Sequence, residues 1–360
     1  MKFINQGEVL NFREFEYERC GLLTGQYAHV VDDKIYYQVH DYPSKPAADI
    51  FYAEYNKEKN KYIKSKNNCI IKKSLAGQNF RVFKDISDKN YPYRAIGGYH
   101  TNKDHALLKD CQFSKEQTMV KCPNPVWPEE KTMVFSPEIS HPRHANGLYV
   151  FKSKDGINWE LFHSKPIMNR LTECKNLPIG THGQDSFHSI FFDDNKEKYV
   201  LYIRANIKLG VRHVLYTESK NLIDWSVPEL IQSDPPFDLD HDNFYYGSVY
   251  KYEDIYVAFT PFFENYILDP AGHHREYKNE KTLLMVLKDG KSWNTVDELF
   301  EHNNSNPEWG GHMRAPHILS FDFDDENIML YVQEDFLTYK NKLVLHTIRR
   351  KDFDQVVRNK

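Results

Sequence analysis

The sequence predicts an all-β fold, a five-bladed β-propeller of four-stranded antiparallel blades, and three observations carry that prediction. A seven-residue segment recurs as Ser153-Lys-Asp-Gly-Ile-Asn-Trp159, Ser219-Lys-Asn-Leu-Ile-Asp-Trp225 and Leu287-Lys-Asp-Gly-Lys-Ser-Trp293, with the tryptophans 66 and 68 residues apart. An aromatic or β-branched hairpin broken by a turn appears five times along the chain. Aromatic residues make up 14% of the sequence, with 24 Tyr and 23 Phe, which suits strands and sugar-stacking surfaces better than helices. Five units of about 67 residues would nearly fill the 360 residues of the chain.

The first blade is expected over about 20–70, where Ala28-His-Val-Val-Asp-Asp-Lys-Ile-Tyr-Tyr-Gln-Val39 reads as a hairpin. The second spans about 75–165, with its hairpin from Phe80 to Gly97 and its third strand at Gly147-Leu-Tyr-Val-Phe-Lys152. That blade is too long, and the excess at about 101–144, poor in periodicity, reads as an insertion over one face and a candidate lid. The third blade, about 180–232, pairs residues 190–203 as a hairpin and continues into Arg212-His-Val-Leu-Tyr-Thr217. The fourth covers about 243–300 with its hairpin at 249–259, and the fifth about 312–355 with its hairpin at 318–332. Residues 1–360 are thus expected to form a single domain, and the tryptophans of the repeated turn to pack each blade against its neighbour.

Composition narrows the function classes. Hydrophobic content of 40% and charged content of 27% exclude a disordered or collagen-like chain. Forty-seven basic against 51 acidic residues, without a long Lys/Arg block, argue against nucleic acid as a partner. No apolar run has the length of a membrane span or a signal peptide, so a cytoplasmic protein is expected. Five scattered cysteines without a CxxC pair fit reduced thiols rather than disulfides or a zinc site. The 17 histidines are dispersed, so no metal and no other cofactor is expected; His29, His188 and His317 read as satisfied core histidines, with a single channel cation as the alternative. No Gly-rich loop links a strand to a helix in the manner of a nucleotide cradle.

The innermost strands of a propeller start near the central channel, so their first residues converge on one pocket. The strand starts are Gln26 with Tyr27, Asn79 to Arg81, Asp185 with His188, Tyr245 with Tyr246, and Met313 with Arg314. Asp185 is the one carboxylate among them, and its place is poorly explained by packing. Cleavage of a glycosidic bond needs two carboxyl groups, one protonated and one ionised, so a partner must come from elsewhere. Glu308, beside Trp309 in a Gly-rich loop, is one candidate, and Asp41 and Asp242 near the first and fourth blades are others. Arg81, His100, Arg204 and Arg314 sit at comparable strand ends, suited to hydroxyl, carboxylate or phosphate groups. His188, Tyr246 and Trp309 complete the candidate substrate-binding set.

At these residues the chain resembles a known group. The run from His182 to Arg204, with Leu222-Ile-Asp-Trp-Ser-Val-Pro-Glu-Leu230, is similar to bacterial five-bladed propeller proteins grouped with glycoside hydrolase families 32, 43, 62 and 68. The likeness extends from about residue 20 to 355, through Tyr93-Arg-Ala-Ile-Gly-Gly98 and Asn341-Lys-Leu-Val-Leu-His-Thr-Ile-Arg-Arg350. The resemblance implies three acids: an aspartate opening the first blade, a tuning aspartate and a proton-donating glutamate. Asp185 stands in the setting of the tuning aspartate, Gln26 and Tyr27 replace the first-blade aspartate, and Glu308 lies outside the usual glutamate motif. It also implies action on furanosides, by hydrolysis or by sugar transfer.

Three functions are expected in turn. The first is cleavage of a glycosidic, furanosidic bond, with Asp185 tuning the acid, Glu308 protonating the leaving oxygen, and Asp41 or Asp242 as base or nucleophile. The second is a glycosyltransferase carrying sugar from a nucleotide-activated donor onto a surface or capsular polysaccharide, favoured by the arginines and the imperfect acid set. The third is a non-catalytic glycan-binding propeller. A sialidase fits less well, since the turn at 153–159 is one residue short of the Ser-x-Asp-x-Gly-x-x-Trp pattern and no arginine triad is assignable. The sugar, the linkage and the oligomeric state stay open.

Overall fold

The computed structural model describes residues 1–15, 18, 25–40, 48–65, 68–74, 79–99, 119–121, 132–134, 147–168, 182–183, 187–208, 211–234, 236–245, 247–267, 275–287, 289–301, 317–336 and 340–359. The fold is a five-bladed β-propeller built from the expected antiparallel blade sheets. Its contacts divide into two compact units. One holds residues 8–169 with 335–343, and the other residues 1–7, 170–334 and 344–360.

The chain opens with β1 (Ile4–Asn11), which belongs to the last blade. Blade 1 is β2 (Gln26–Val31), β3 (Lys34–His40), β4 (Ala48–Asn56) and β5 (Lys61–Ile63), with β6 (Cys69–Ser74) also paired to β4. Its acidic turn is tight because Asp32 takes the left-handed conformation (φ 54°) that a two-residue hairpin turn demands. Blade 2 is β7 (Arg81–Lys84) and β8 (Tyr93–Tyr99), followed after the insertion by β11 (Gly147–Ser153) and β12 (Glu160–Leu161). Within the insertion, β9 (Met119–Lys121) and β10 (Thr132–Val134) form an antiparallel ribbon; the rest of 101–144, and with it the expected lid, lies outside the described residues. Gly98 has no alternative where β8 meets β11: at φ 110° a Cβ there would sit 2.2 Å from the Gly147 carbonyl oxygen.

Blade 3 is β13 (His182–Gly183) and β14 (Ser189–Asp193), both on β15 (Lys198–Lys208), then β16 (Val211–Ser219) and β17 (Glu229–Leu230). Blade 4 repeats that layout. After β18 (Gln232–Asp234), which pairs in parallel with the blade's outer strand, β19 (Asp242–Phe244) and β20 (Ser248–Tyr252) share β21 (Ile255–Ile267). β22 (Arg275–Leu287) and β23 (Ser292–Glu301) complete it. Blade 5 is β24 (His317–Phe323), β25 (Asn327–Glu334) and β26 (Lys342–Arg349), with β1 as its outer strand. The expectation of a fifth blade made wholly from 312–355 is therefore corrected. The chain after β26 enters helix α1 (Arg350–Arg358), and the N-terminal strand fills the fourth place.

Within each unit consecutive blades bury their facing apolar surfaces, the arrangement a repeat array needs. Tyr36, Ile50 and Ile71 of blade 1 pack with Phe80, Val82, Tyr149 and Phe151 of blade 2. Val200, Tyr202, Val214 and Tyr216 of blade 3 pack with Phe244, Val249, Met285 and Trp293 of blade 4. Val257, Phe259 and Val286 of blade 4 pack with Ile318, Phe321, Leu330 and Val332 of blade 5, where Phe353 and Val357 of α1 close the cluster.

Candidate functional site

In blades 1, 3 and 4 the start of the innermost strand is pinned to the next blade by one polar side chain. In blade 1 the His29 ring contacts the Tyr27 carbonyl through Nδ1 (3.1 Å) and accepts the Val82 N–H of blade 2 at Nε2 (2.7 Å). This sets the tautomer with the proton on Nδ1, and burial together with Arg81 holds its pKa well below the ordinary value. In blade 3, Ser189 Oγ donates to the Gly247 carbonyl (2.7 Å) and accepts the Val249 N–H (2.9 Å). At the equivalent register in blade 4, Ser248 Oγ donates to the Ile318 carbonyl of blade 5 (3.2 Å). Sequence reading passed over both serines, because a small residue opening a strand has no local pattern of its own.

Blades 3 and 4 also share a divided inner strand. In blade 3, Gly183 lies opposite Ala205 and Ser189 opposite Tyr202, so Ile203 and Arg204 fall between the two paired stretches of β15. In blade 4, Phe244 lies opposite Phe262 and Ser248 opposite Phe259. Thr260 and Pro261 occupy the matching gap, where the Tyr245 N–H donates to the Pro261 carbonyl (3.0 Å). The divided strands bring Tyr245 beside two cations. The Arg204 guanidinium is 5.4 Å and the Arg212 guanidinium 5.6 Å from its ring centroid. The His317 ring of blade 5 lies 6.4 Å from the same ring. Asn243, fully buried, accepts the Arg212 N–H at Oδ1 (2.8 Å) and donates to the His241 carbonyl (2.9 Å), which ties β16 to β19. Burial drives the His317 pKa down to about 4, so the ring is neutral at pH 7.

Asp242 begins β19 three residues before Tyr245. It accepts the Asp238 N–H (2.9 Å), and its pKa is raised, first by burial and then by the nearby carboxylates of Asp238 and Glu264, Glu264 being its cross-strand neighbour. The other shifted carboxyls among the described residues move downward, including Asp193, Glu218 and Glu264. A half-buried carboxyl with a raised pKa beside a cationic, aromatic strand end is an acid–base candidate.

Of the residues singled out in the sequence, Arg204, His188 and Asp242 thus fall at the divided inner strands of blades 3 and 4. Arg81, also buried, opens β7 of blade 2 in the other unit. Asp185, Glu308, Asp41, His100, Tyr246, Trp309 and Arg314 lie outside the described residues. Arg212 was not singled out; its signal was its place opening the third strand of blade 3, opposite Asn206. No group of three or more His, Cys, Asp or Glu among the described residues is arranged to hold a metal ion. No helix among them is long and apolar enough to cross a membrane.

No protein-family model matches the chain, and no curated protein matches it. Solved structures of similar architecture include the α-L-arabinofuranosidase Arb93A of Fusarium graminearum bound to an iminosugar inhibitor. That one is 10% identical, with a TM-score of 0.47 over 98% of this chain and 99% of that one. An N-acetylgalactosamine deacetylase from F. plautii, in complex with blood group B trisaccharide, is 9% identical, with a TM-score of 0.49 over 99% and 97%. An α-L-arabinanase of Penicillium chrysogenum complexed with arabinobiose is 11% identical, with a TM-score of 0.42 over 98% and 99%. The likeness to these structures is one of fold.

Proposed function

We propose that the chain is a carbohydrate-active propeller enzyme that cleaves a glycosidic bond, furanosidic in the reading that the sequence resemblance favours. The observation that carries the proposal is the Tyr245 ring with the Arg204 and Arg212 guanidinium groups 5.4 and 5.6 Å from its centroid, three residues from Asp242, whose carboxyl pKa burial raises. Glycoside cleavage requires one carboxyl that keeps its proton and one that is ionised. A raised pKa suits Asp242 to the protonated role, the general acid that releases the leaving oxygen, rather than the base or nucleophile expected from sequence. Arg204 and Arg212 would bind the hydroxyls or acidic substituents of the sugar, and Asp185, two residues after Gly183 in the chain, is proposed as the ionised partner.

The test pairs wild type with Asp242→Asn and Asp185→Asn, offering aryl furanosides and pyranosides in one set and nucleotide-activated sugars with oligosaccharide acceptors in the other. We expect release of free sugar by wild type, reduced about 100-fold or more in Asp242→Asn. A second reading is favoured by the paired guanidinium groups, which suit a diphosphate as well as a sugar: transfer from a nucleotide-activated donor. Product formation only in the donor set would establish that reading in place of hydrolysis.

A further inference from the structure

Blade 2 carries a surface cavity of about 500 Å³, within the range of small-molecule sites. It is built on the turn between β11 and β12, by residues of blades 1 and 2 within one compact unit. Its aromatic floor is Trp159, whose indole N–H donates to the Gly156 carbonyl (3.0 Å). The ring is braced edge-on by Phe80 (5.3 Å) and Tyr36 (6.4 Å), so it is held rigidly yet remains only partly buried. Tyr91 also lines it, with Lys152 Nζ 4.3 Å and Lys154 Nζ 5.4 Å from its ring centroid. Glu160 pairs with Lys152 at 3.2 Å, and Asn158, whose amide donates to Asp155 Oδ2 (2.7 Å), is also in the lining.

The charges in the lining balance: two ammonium groups, Lys152 and Lys154, against two carboxylates, Asp155 and Glu160. A phosphate or polyanion gains nothing from such a wall. A neutral ring with hydroxyls around its edge and C–H bonds on its face matches it, since the face can stack on a fixed indole while the hydroxyls meet donors and acceptors in alternation. We propose that this cavity is a second, non-catalytic binding site for a neutral saccharide chain, with Trp159 as the stacking platform and Lys154, Asn158 and Glu160 as hydroxyl partners. The proposal extends the carbohydrate reading but rests on different residues, so either can fail alone.

The experiment is native affinity electrophoresis of the full chain in gels containing arabinan, xylan, β-glucan or galactan, with heparin as the polyanion, followed by calorimetry with oligosaccharides of whichever polymer retards it. We expect retardation by a neutral polymer, and a rise of about tenfold or more in Kd for Trp159→Ala and for Glu160→Gln. Trp225→Ala, which alters the same turn in blade 3, and Asp242→Asn should both bind as wild type. Glu160 is exposed, so its variant keeps the test valid if Trp159→Ala does not fold. No retardation by any neutral polymer, retardation by heparin alone, or binding lost in Asp242→Asn but kept in Trp159→Ala and Glu160→Gln would each overturn the proposal. Loss of binding in the two blade 2 variants with cleavage of small aryl glycosides intact would separate this site from the cleavage site.

Discussion

The repeated tryptophan turn appears in blade 2 and in blade 4 with one backbone and two outcomes. Asp155 accepts the N–H groups of Ile157 and Asn158 (both 2.8 Å), and Asp289 accepts those of Lys291 and Ser292 (2.8 and 2.7 Å). The next residue is a left-handed glycine in each, Gly156 at φ 74° and Gly290 at φ 82°. Yet Trp293 is 1% exposed, while Trp159 is partly open and floors a cavity. The difference lies in the strand that the turn leads into. In blade 4 the chain continues as the ten-residue β23, covered by β18 and by Phe244, 6.0 Å from the indole; in blade 2 it continues as the two-residue β12. The turn sets the backbone, and the length of the outer strand decides whether the indole becomes core or surface.

The largest expected effect tests that contrast directly. Trp293→Ala empties a fully buried site and should cost about 3–5 kcal/mol, whereas Trp159→Ala should cost roughly half as much, measured by urea unfolding. Trp293→Phe should recover much of the loss, because the indole N–H of Trp293 has no hydrogen-bond partner among the described residues and its removal abolishes an unsatisfied donor. Equal costs for the two alanine variants would break the distinction between core and surface.

The next effect separates the two glycines. Both are in a conformation that costs an L-residue about 1–2 kcal/mol. At Gly156 a Cβ would also lie 2.4 Å from the Tyr36 hydroxyl, inside the blade 1–2 core, whereas at Gly290 the nearest atoms are 3.2 Å away. Gly156→Ala should therefore lose about 2–4 kcal/mol and Gly290→Ala about 1–2 kcal/mol. Blade 3 carries Leu222 at this position, with φ 64° and its side chain buried, so the strain alone is tolerable where packing compensates.

Much of this was legible in the sequence because it is local. The five hairpins, the third strands and the repeated turn are written in alternation, acidic turn residues and spacing, and all five hairpins form. The closing strand was not legible. Ile4–Asn11 is polar, contains Gly7, and pairs with a strand more than 300 residues away, so nothing near it announces its partner. The candidate site divides the same way. Arg204 was visible as a charge at the end of an aromatic strand, but Arg212 gains meaning only through Tyr245, which a different blade supplies. Asp242 was visible only as a candidate base or nucleophile, because its raised pKa comes from burial and from Glu264 across the sheet as well as from its sequence neighbour Asp238.

The smallest effect concerns acid. Burial works against the ionised form of Asp155, but the N–H groups of Asn158 and Ile157, with the Asn158 amide and the Ser153 hydroxyl, outweigh it and hold the pKa at about 2, below the ordinary 3.8. A carboxyl with a depressed folded pKa contributes stability that is complete above its unfolded value and is lost as pH falls from about 4 to about 2. Blade 3 supplies the control, since Asn221 holds the same place and accepts the N–H groups of Ile223 and Asp224 (2.9 and 2.8 Å) without an ionisable group. Asp155→Asn should thus preserve the turn. Its urea midpoint should lie below that of wild type at pH 6, with the gap closing between pH 4 and pH 2 as the wild-type carboxyl takes up its proton. A gap that stays constant through that window would mean that the charge on Asp155 contributes nothing to the turn, and that the amide and the carboxylate are interchangeable as acceptors in the two blades.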